Sequence, residues 1–346
     1  MPFPNHLYEF RRPNIDIAMD EYSSSIPIRE TAGRIIRRSI FTFLQKYQYF
    51  TSTAALLAFP FAASTLLSQA FLPSSVVLAL IQRRFRSLFL AAGFPPSSEL
   101  FAILNLKLSQ TIVTYFLVLP FSLSFLLLAK AYIIKSLSNR KPAGETPFSS
   151  WITQYKSLFQ TQICSSLVIL SVNATCFSLL LFAINCFDVL GISSPEALLF
   201  VSSVGAVVYS IILANAYIIC NMALVLSGME NRGGYLAILK ACVLIQGRSS
   251  TAMSLAVVIN IALAAIEALF QYRIVKAYRR AASPNSSMAL EGLFIGYLYG
   301  ILLVIDTIVG CTFFKSCRTF KSGQEDWNSV QIPIEDASLN TLKEVP

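Results

Sequence analysis

The sequence predicts an all-α, polytopic membrane protein with about six transmembrane helices and cytosolic amphipathic helices. Three observations predict it. First, 55% of the 346 residues are hydrophobic and only 13% are charged, against roughly 25% charged in a soluble globular protein; mean hydropathy is +0.62. Second, the apolar residues gather into runs of bilayer length, about 20 residues being needed to cross roughly 30 Å of hydrocarbon. Third, these runs lack the period-two alternation of a barrel. Helices, which satisfy their own backbone hydrogen bonds inside lipid, are the remaining solution.

Residues 1–49 read as a cytosolic tail and amphipathic helix. The opening MPFPNHLYEFRRP has no apolar core of signal-peptide length. At Ser25-Ile-Pro-Ile-Arg-Glu30 a helix start is expected, with Ser25 or Ile26 near the cap and Pro27 in the first turn. Ile28, Ala32, Ile35, Ile36, Ile40 and Phe43 recur at helical spacing, and Arg29, Arg34, Arg37 and Arg38 add positive charge. That pattern fits a helix lying in the membrane plane, or a solvated basic linker.

A membrane domain over 50–314 follows, with spans at 50–72, 110–135, 161–187, 197–226, 251–271 and 289–314. An apolar stretch at 76–81 leaves open whether the first loop is external or re-entrant. Residues 315–346 read as a cytosolic tail. Basic residues concentrate in 1–49, around Lys130 to Lys156, at Arg232, Lys240 and Arg248, and in the tail. Smaller clusters, Arg83 to Lys107 and Arg273 to Arg280, lie on the opposite side. The positive-inside rule then places both termini in the cytosol, within the endomembrane system or plasma membrane. The net charge of +9 flanks apolar blocks and forms no single stripe. The partner it implies is the bilayer, with anionic headgroups, and not nucleic acid. A second copy of the chain or another membrane protein is a further partner class.

The sequence offers no catalytic constellation, and no cofactor or metal site is expected. His6 is the only histidine, so a His-dependent triad and a His-rich metal site in the membrane body are excluded. Gly228-x4-Gly233 places Gly234 and Tyr235 where a phosphate loop needs Lys and Ser or Thr, so that match fails. The seven cysteines show no C-x-x-C and sit mostly inside apolar runs, as small hydrophobes do.

Packing and polar positions carry the remaining signal. Gly292, Gly296 and Gly300 make a flat groove on the sixth span; Ala252, Ala256, Asn260, Ala264 and Ala268 repeat at the same interval on the fifth. These two faces are expected to meet in an antiparallel hairpin. Pro60 and Pro120 should kink their spans. Lys130, Glu267 and Asp306 are charges inside apolar runs, costly in lipid. Glu267 shares a face with Asn260, and Lys130 is near enough in depth to Asp306 for a salt bridge. Two readings stand: a proton or cation relay, or a structural pair with Glu267 snorkelling to the interface. Asn173, Asn185, Asn215 and Asn221 can join helices or line a polar cavity.

One stretch carries a family resemblance. Glu230, Gly234, Lys240, Leu244 and Gly247 resemble the E-x-x-x-G-x(n)-K/R-S-x-x-L-x-x-G element of a plant family of six-span membrane proteins of unknown function, some labelled polyadenylate-binding-protein-binding-like. Ala241 stands where that element has Ser. The stretch is also similar to one in the membrane domain of certain bacterial glycerophosphodiester phosphodiesterases. The resemblance implies a polytopic helical fold and no established chemistry. From the residues themselves, Leu236, Leu239 and Val243 share one helical face, which suggests a short helix at the headgroup boundary.

Overall fold

The computed structural model describes residues 31–72, 75–91, 99–138, 147–189, 195–280 and 286–342. The tail 1–30, with the expected helix start at Ser25 to Glu30, lies outside them. The described residues form nine helices and no strand. Helix α1 is Ala32–Gln45. Helix α2 covers residues 47–71 as Tyr47–Thr53, a π-helical turn Ala54–Ala58, and Phe59–Phe71. Helix α3 is Val76–Ala91. Helix α4 covers residues 99–137 as Glu99–Phe121, a π turn Ser122–Leu126, and Leu127–Leu137. Helix α5 is Pro147–Val189, α6 is Pro195–Glu230 and α7 is Tyr235–Ile245. Helix α8 covers residues 249–280 as Ser249–Phe270, a π turn Gln271–Val275, and Lys276–Arg280. Helix α9 is Ser286–Leu342.

Six segments are long and apolar enough to cross a membrane: Tyr47–Ala70, Asn105–Leu137, Ile152–Leu180, Ser203–Glu230, Ser249–Tyr278 and Ser286–Phe320. Each overlaps one of the six runs read from the sequence. Boundaries differ at α9, whose helix runs on to Leu342, well past the expected 314, and at α5, which starts at Pro147, well before the expected 161. Proline is at home there because the first helical N–H has no intrahelical acceptor to lose. The first loop also holds a helix the sequence left undefined. Sixteen-residue α3 packs its Leu78 with Val113 of α4 and Leu72 at the end of α2. Asn105 of α4 donates to the Gln82 carbonyl of α3 at 3.3 Å.

Residues 32–314 form one compact unit, and residues 315–342 belong to a second. Inside the first, α9 is the central helix. Its Ile295, Tyr299, Val304 and Ile308 are buried, whereas the first part of α6, from Val204 to Ile212, is largely exposed. Val304 and Ile308 of α9 pack with Phe50, Ala54 and Ala58 of α2 and Ala129 and Ile133 of α4. Two turns earlier, Ile295 and Tyr299 pack with Ala62 and Leu66 of α2 and Phe270 and Val275 of α8. Helices α5 and α6 pair with each other, and α7 lies against both. Large apolar residues on the α5–α6 pair are exposed, Leu170, Leu179, Phe182 and Val207 among them, as a lipid-facing surface requires.

The expected meeting of glycine and alanine faces is not what forms. A Cβ on Gly300 would meet the Ala54 carbonyl oxygen at 3.4 Å and the Phe59 nitrogen at 3.5 Å, both on α2. One on Gly296 would meet the Phe59 ring at 3.1 Å. Of the three glycines, Gly292 alone faces α8, at Ile274 and Phe270. Ala256 and Ala264 instead line an outward groove with Ala214 and Tyr217 of α6. The glycine stripe marks where a backbone can approach, and the π turn of α2 is the backbone that does so.

Both prolines adjoin irregular turns. Pro60 cannot donate to residue 56, and the π turn precedes it, with Phe59 N–H bonded five residues back to Ala54. After Pro120 the Ser124 hydroxyl donates to the Pro120 carbonyl at 2.6 Å, and Leu127 N–H reaches back to Ser122. The two π turns touch.

Candidate functional site

Three polar nodes join the helices. In the first, the Lys130 ammonium on α4 donates to Asn221 Oδ1 on α6 at 3.0 Å. The Asn221 amide nitrogen donates to Asp306 Oδ2 on α9 at 3.5 Å. Lys130 and Asp306 are therefore matched in charge through an amide, and not by the direct salt bridge their depths suggested. An amide suits this place because it accepts from the cation and donates to the anion. Asp306 also faces a cavity of about 70 Å³ lined by Tyr217, Asn221, Asn260 and Leu303 among others. Asn260 donates to the Ala256 carbonyl of its own helix at 2.8 Å.

In the second node, Glu267 on α8 accepts from Gln69 of α2 at 3.1 Å and from the Tyr299 hydroxyl of α9 at 2.9 Å. Gln271 donates to Gln69 at 3.0 Å. Two donors on neighbouring helices hold the carboxylate, so it does not snorkel freely to the interface. Glu267 and Asp306 belong to separate nodes. Tyr299 and Asp306 are seven residues apart on α9, on one face and about 10 Å apart along the axis.

The side chains of the third node are buried. The Ser157 and Ser227 hydroxyls lie 2.9 Å apart, and Thr161 donates to Ser227 Oγ at 2.9 Å. The Gly234 N–H donates to Thr161 Oγ1 at 3.0 Å. Gln154 reaches the carbonyls of Ala131 and Gly228 at 3.4 and 3.3 Å. This node fastens α5 to the end of α6 and to the loop before α7.

That loop gives the element 230–247 its shape. Gly234 and Gly247 both have left-handed φ, +86° and +82°, and they bracket α7. Glu230 and Lys240 form an ion pair at 2.5 Å. Helix α7 buries Ala237, Ile238, Ala241 and Ile245 and exposes Leu236, Leu239 and Val243. Beyond it, the buried Arg248 guanidinium lies 5.6 Å over the Phe313 ring.

Of the positions singled out in the sequence, the structure brings Lys130 and Asp306 to one node, Glu267 to another, and Glu230 to Lys240. Asn260 joins Asp306 only as a neighbour in the cavity wall. Gln69, Tyr299, Gln154, Ser157, Thr161 and Ser227 were missed. Ser157-x3-Thr161 was the available signal, two hydroxyls on one helical face. Among the described residues, no group of three or more His, Cys, Asp or Glu is placed to hold a metal ion.

A family model described as a domain of unknown function (DUF8558) matches residues 30–331. No curated protein and no solved structure matches.

Proposed function

Because the chain belongs to this family of unknown function, DUF8558, we propose its role from geometry alone: a non-enzymatic integral membrane protein with a structural, scaffolding or membrane-organising part to play. One observation carries the reading. The polar nodes hold helices together: Lys130, Asn221, Asp306, Glu267, Gln69 and Tyr299 link α2, α4, α6, α8 and α9. The Ser157–Ser227–Thr161 node adds α5. In bilayers such bonds contribute about 0.6 kcal/mol on average, and they fix which helix meets which. The cavity beside Asp306, about 70 Å³, is far below the roughly 300 Å³ at which small-molecule sites begin. The basic face of α1 and the outward face of α7 would contact anionic lipid, with both termini cytosolic in an endomembrane or plasma membrane.

A second reading, a small-cation or proton path, is favoured by Asp306 and Asn260 lining one cavity. Proteoliposomes decide between the two. Under the scaffold reading, Asp306→Asn and Glu267→Gln lower the melting temperature of the detergent-solubilised protein by a few degrees and leave proton and sodium flux at the empty-vesicle level. Wild-type flux above that level, altered in either variant without loss of protein, would establish the path and end the scaffold reading.

A further inference from the structure

The junction of α1 and α2 holds a groove that the polar nodes do not use. Lys46 interrupts the helix there, with φ −119° and ψ 37°. The break opens a groove of about 680 Å³, within the size range of sites that hold small ligands. Its composition changes along its length. Gln45, Lys46 and Gln48 form one end, Tyr49 and Tyr132 the wall, and Leu56 the other end. Lys46 and Leu56 are ten positions apart, about 15 Å along a helix, or the hydrocarbon depth of one leaflet.

Three observations fix what this groove fits. The first is depth. The Lys46 ammonium donates to the Ser136 carbonyl and hydroxyl at 3.1 and 3.3 Å, so the start of the first span is tied to the end of the second, at the edge of the apolar layer. Tyr47, Tyr49 and Tyr132 stand at that level, where tyrosine collects in membrane proteins. Tyr49 and Tyr132 stack at 4.7 Å between centroids, and the Tyr49 hydroxyl donates to the Tyr132 carbonyl at 3.2 Å, which makes the wall rigid. The second is charge. Both acceptors of Lys46 are neutral, so its positive charge meets no carboxylate among the described residues. The third is the exposed apolar end. Leu56 is 72% exposed and would serve an acyl chain; a free phosphate would leave it unused.

We propose that this groove binds one anionic glycerophospholipid, its phosphate at Lys46, its headgroup between Gln45 and Gln48, and an acyl chain along Leu56. The proposal deepens the membrane-surface role given to α1 above and rests on it.

Lipid carried by the full-length protein tests it. The chain is equilibrated in mild detergent with equal phosphatidylserine and phosphatidylcholine, passed through a sizing column, and its lipid is counted by mass spectrometry. About one phosphatidylserine per chain is expected. Lys46→Gln should lower that about fivefold, the factor one basic residue near a membrane supplies, and Lys46→Arg should restore it. Loss of the Ser136 anchor could unfold Lys46→Gln, so Gln48→Glu is the second variant; it sets a carboxylate in the headgroup end and should lower retention at least as far. Equal retention of both lipids, or wild-type retention by Gln48→Glu, overturns the proposal. So does competition by soluble glycerophosphoserine at matched concentration, which would mark a site for water-soluble phosphate. Flux and melting of the Asp306 and Glu267 variants do not depend on these outcomes, so failure here leaves the scaffold reading to its own test.

Discussion

At the scale of single residues, Gly233 has the closest backbone neighbour of the described glycines. A Cβ there would sit 2.4 Å from the Ser157 carbonyl oxygen and 3.0 Å from its Cα, both backbone atoms that cannot step aside. Gly33 on exposed α1 has nothing within 4 Å. Gly233→Ala should therefore cost about 1–3 kcal/mol through overpacking, while Gly33→Ala should gain up to about 1 kcal/mol in helix propensity. Unfolding in detergent measures both, and equal melting temperatures would contradict the close approach. The sequence showed four glycines between residues 228 and 247 without saying what each is for. Two of them answer a left-handed backbone and one a carbonyl of α5 packed against the loop, and the second cause is invisible locally because Ser157 is 76 positions away. Lys130 and Asp306 were legible as costly charges for the opposite reason. Placing a charge in an apolar run is penalised wherever the run packs, whereas the bridging Asn221 looked like three other asparagines.

At the scale of elements, the six spans were legible because bilayer crossing demands a local property, continuous apolar length. The early start of α5 was not. Residues 147–160 are more polar than the run that follows them, and their anchors, Gln154 and Ser157, bond to partners on α4 and α6. The π turns were only half visible: proline signals a lost donor, but not that the neighbouring turn widens. That widening has a testable effect. A π turn carries about one residue more than the α turn it replaces. Excising Phe125, from a π turn with no buried side chain, should restore an ordinary turn and leave Ala129, Ala131 and Ile133 facing inward. Excising Leu128, three residues later in regular helix, should rotate everything beyond by about 100° and carry Lys130 away from Asn221. Column profiles and melting curves should therefore be near wild type for the first deletion and collapsed for the second. Similar damage from both would mean the wide turn is itself required.

At the scale of the whole molecule, the pattern of burial within residues 32–314 is uneven: α9 stands at the centre, the first part of α6 is exposed, and the end of α6, at Met222 to Met229, is buried. Sequence ordered the spans but not their neighbours, because a glycine groove specifies closeness and is silent about the partner. The central place of α9 bears on biogenesis. Ribosomes release a chain from its first residue onward, so the post around which the others gather is the last span to be threaded. Until it arrives, Asn221 lacks the Asp306 acceptor and Glu267 lacks the Tyr299 donor, and only the Gln69 and Gln271 bonds tie α2 to α8 in that node. A chain stopped at residue 285 should be inserted yet short-lived, and co-expressing residues 286–346 as a separate piece should lengthen its half-life in a pulse-chase. A truncated chain as durable as the intact one would mean the nascent helices settle among themselves, with the late arrival merely slotting in.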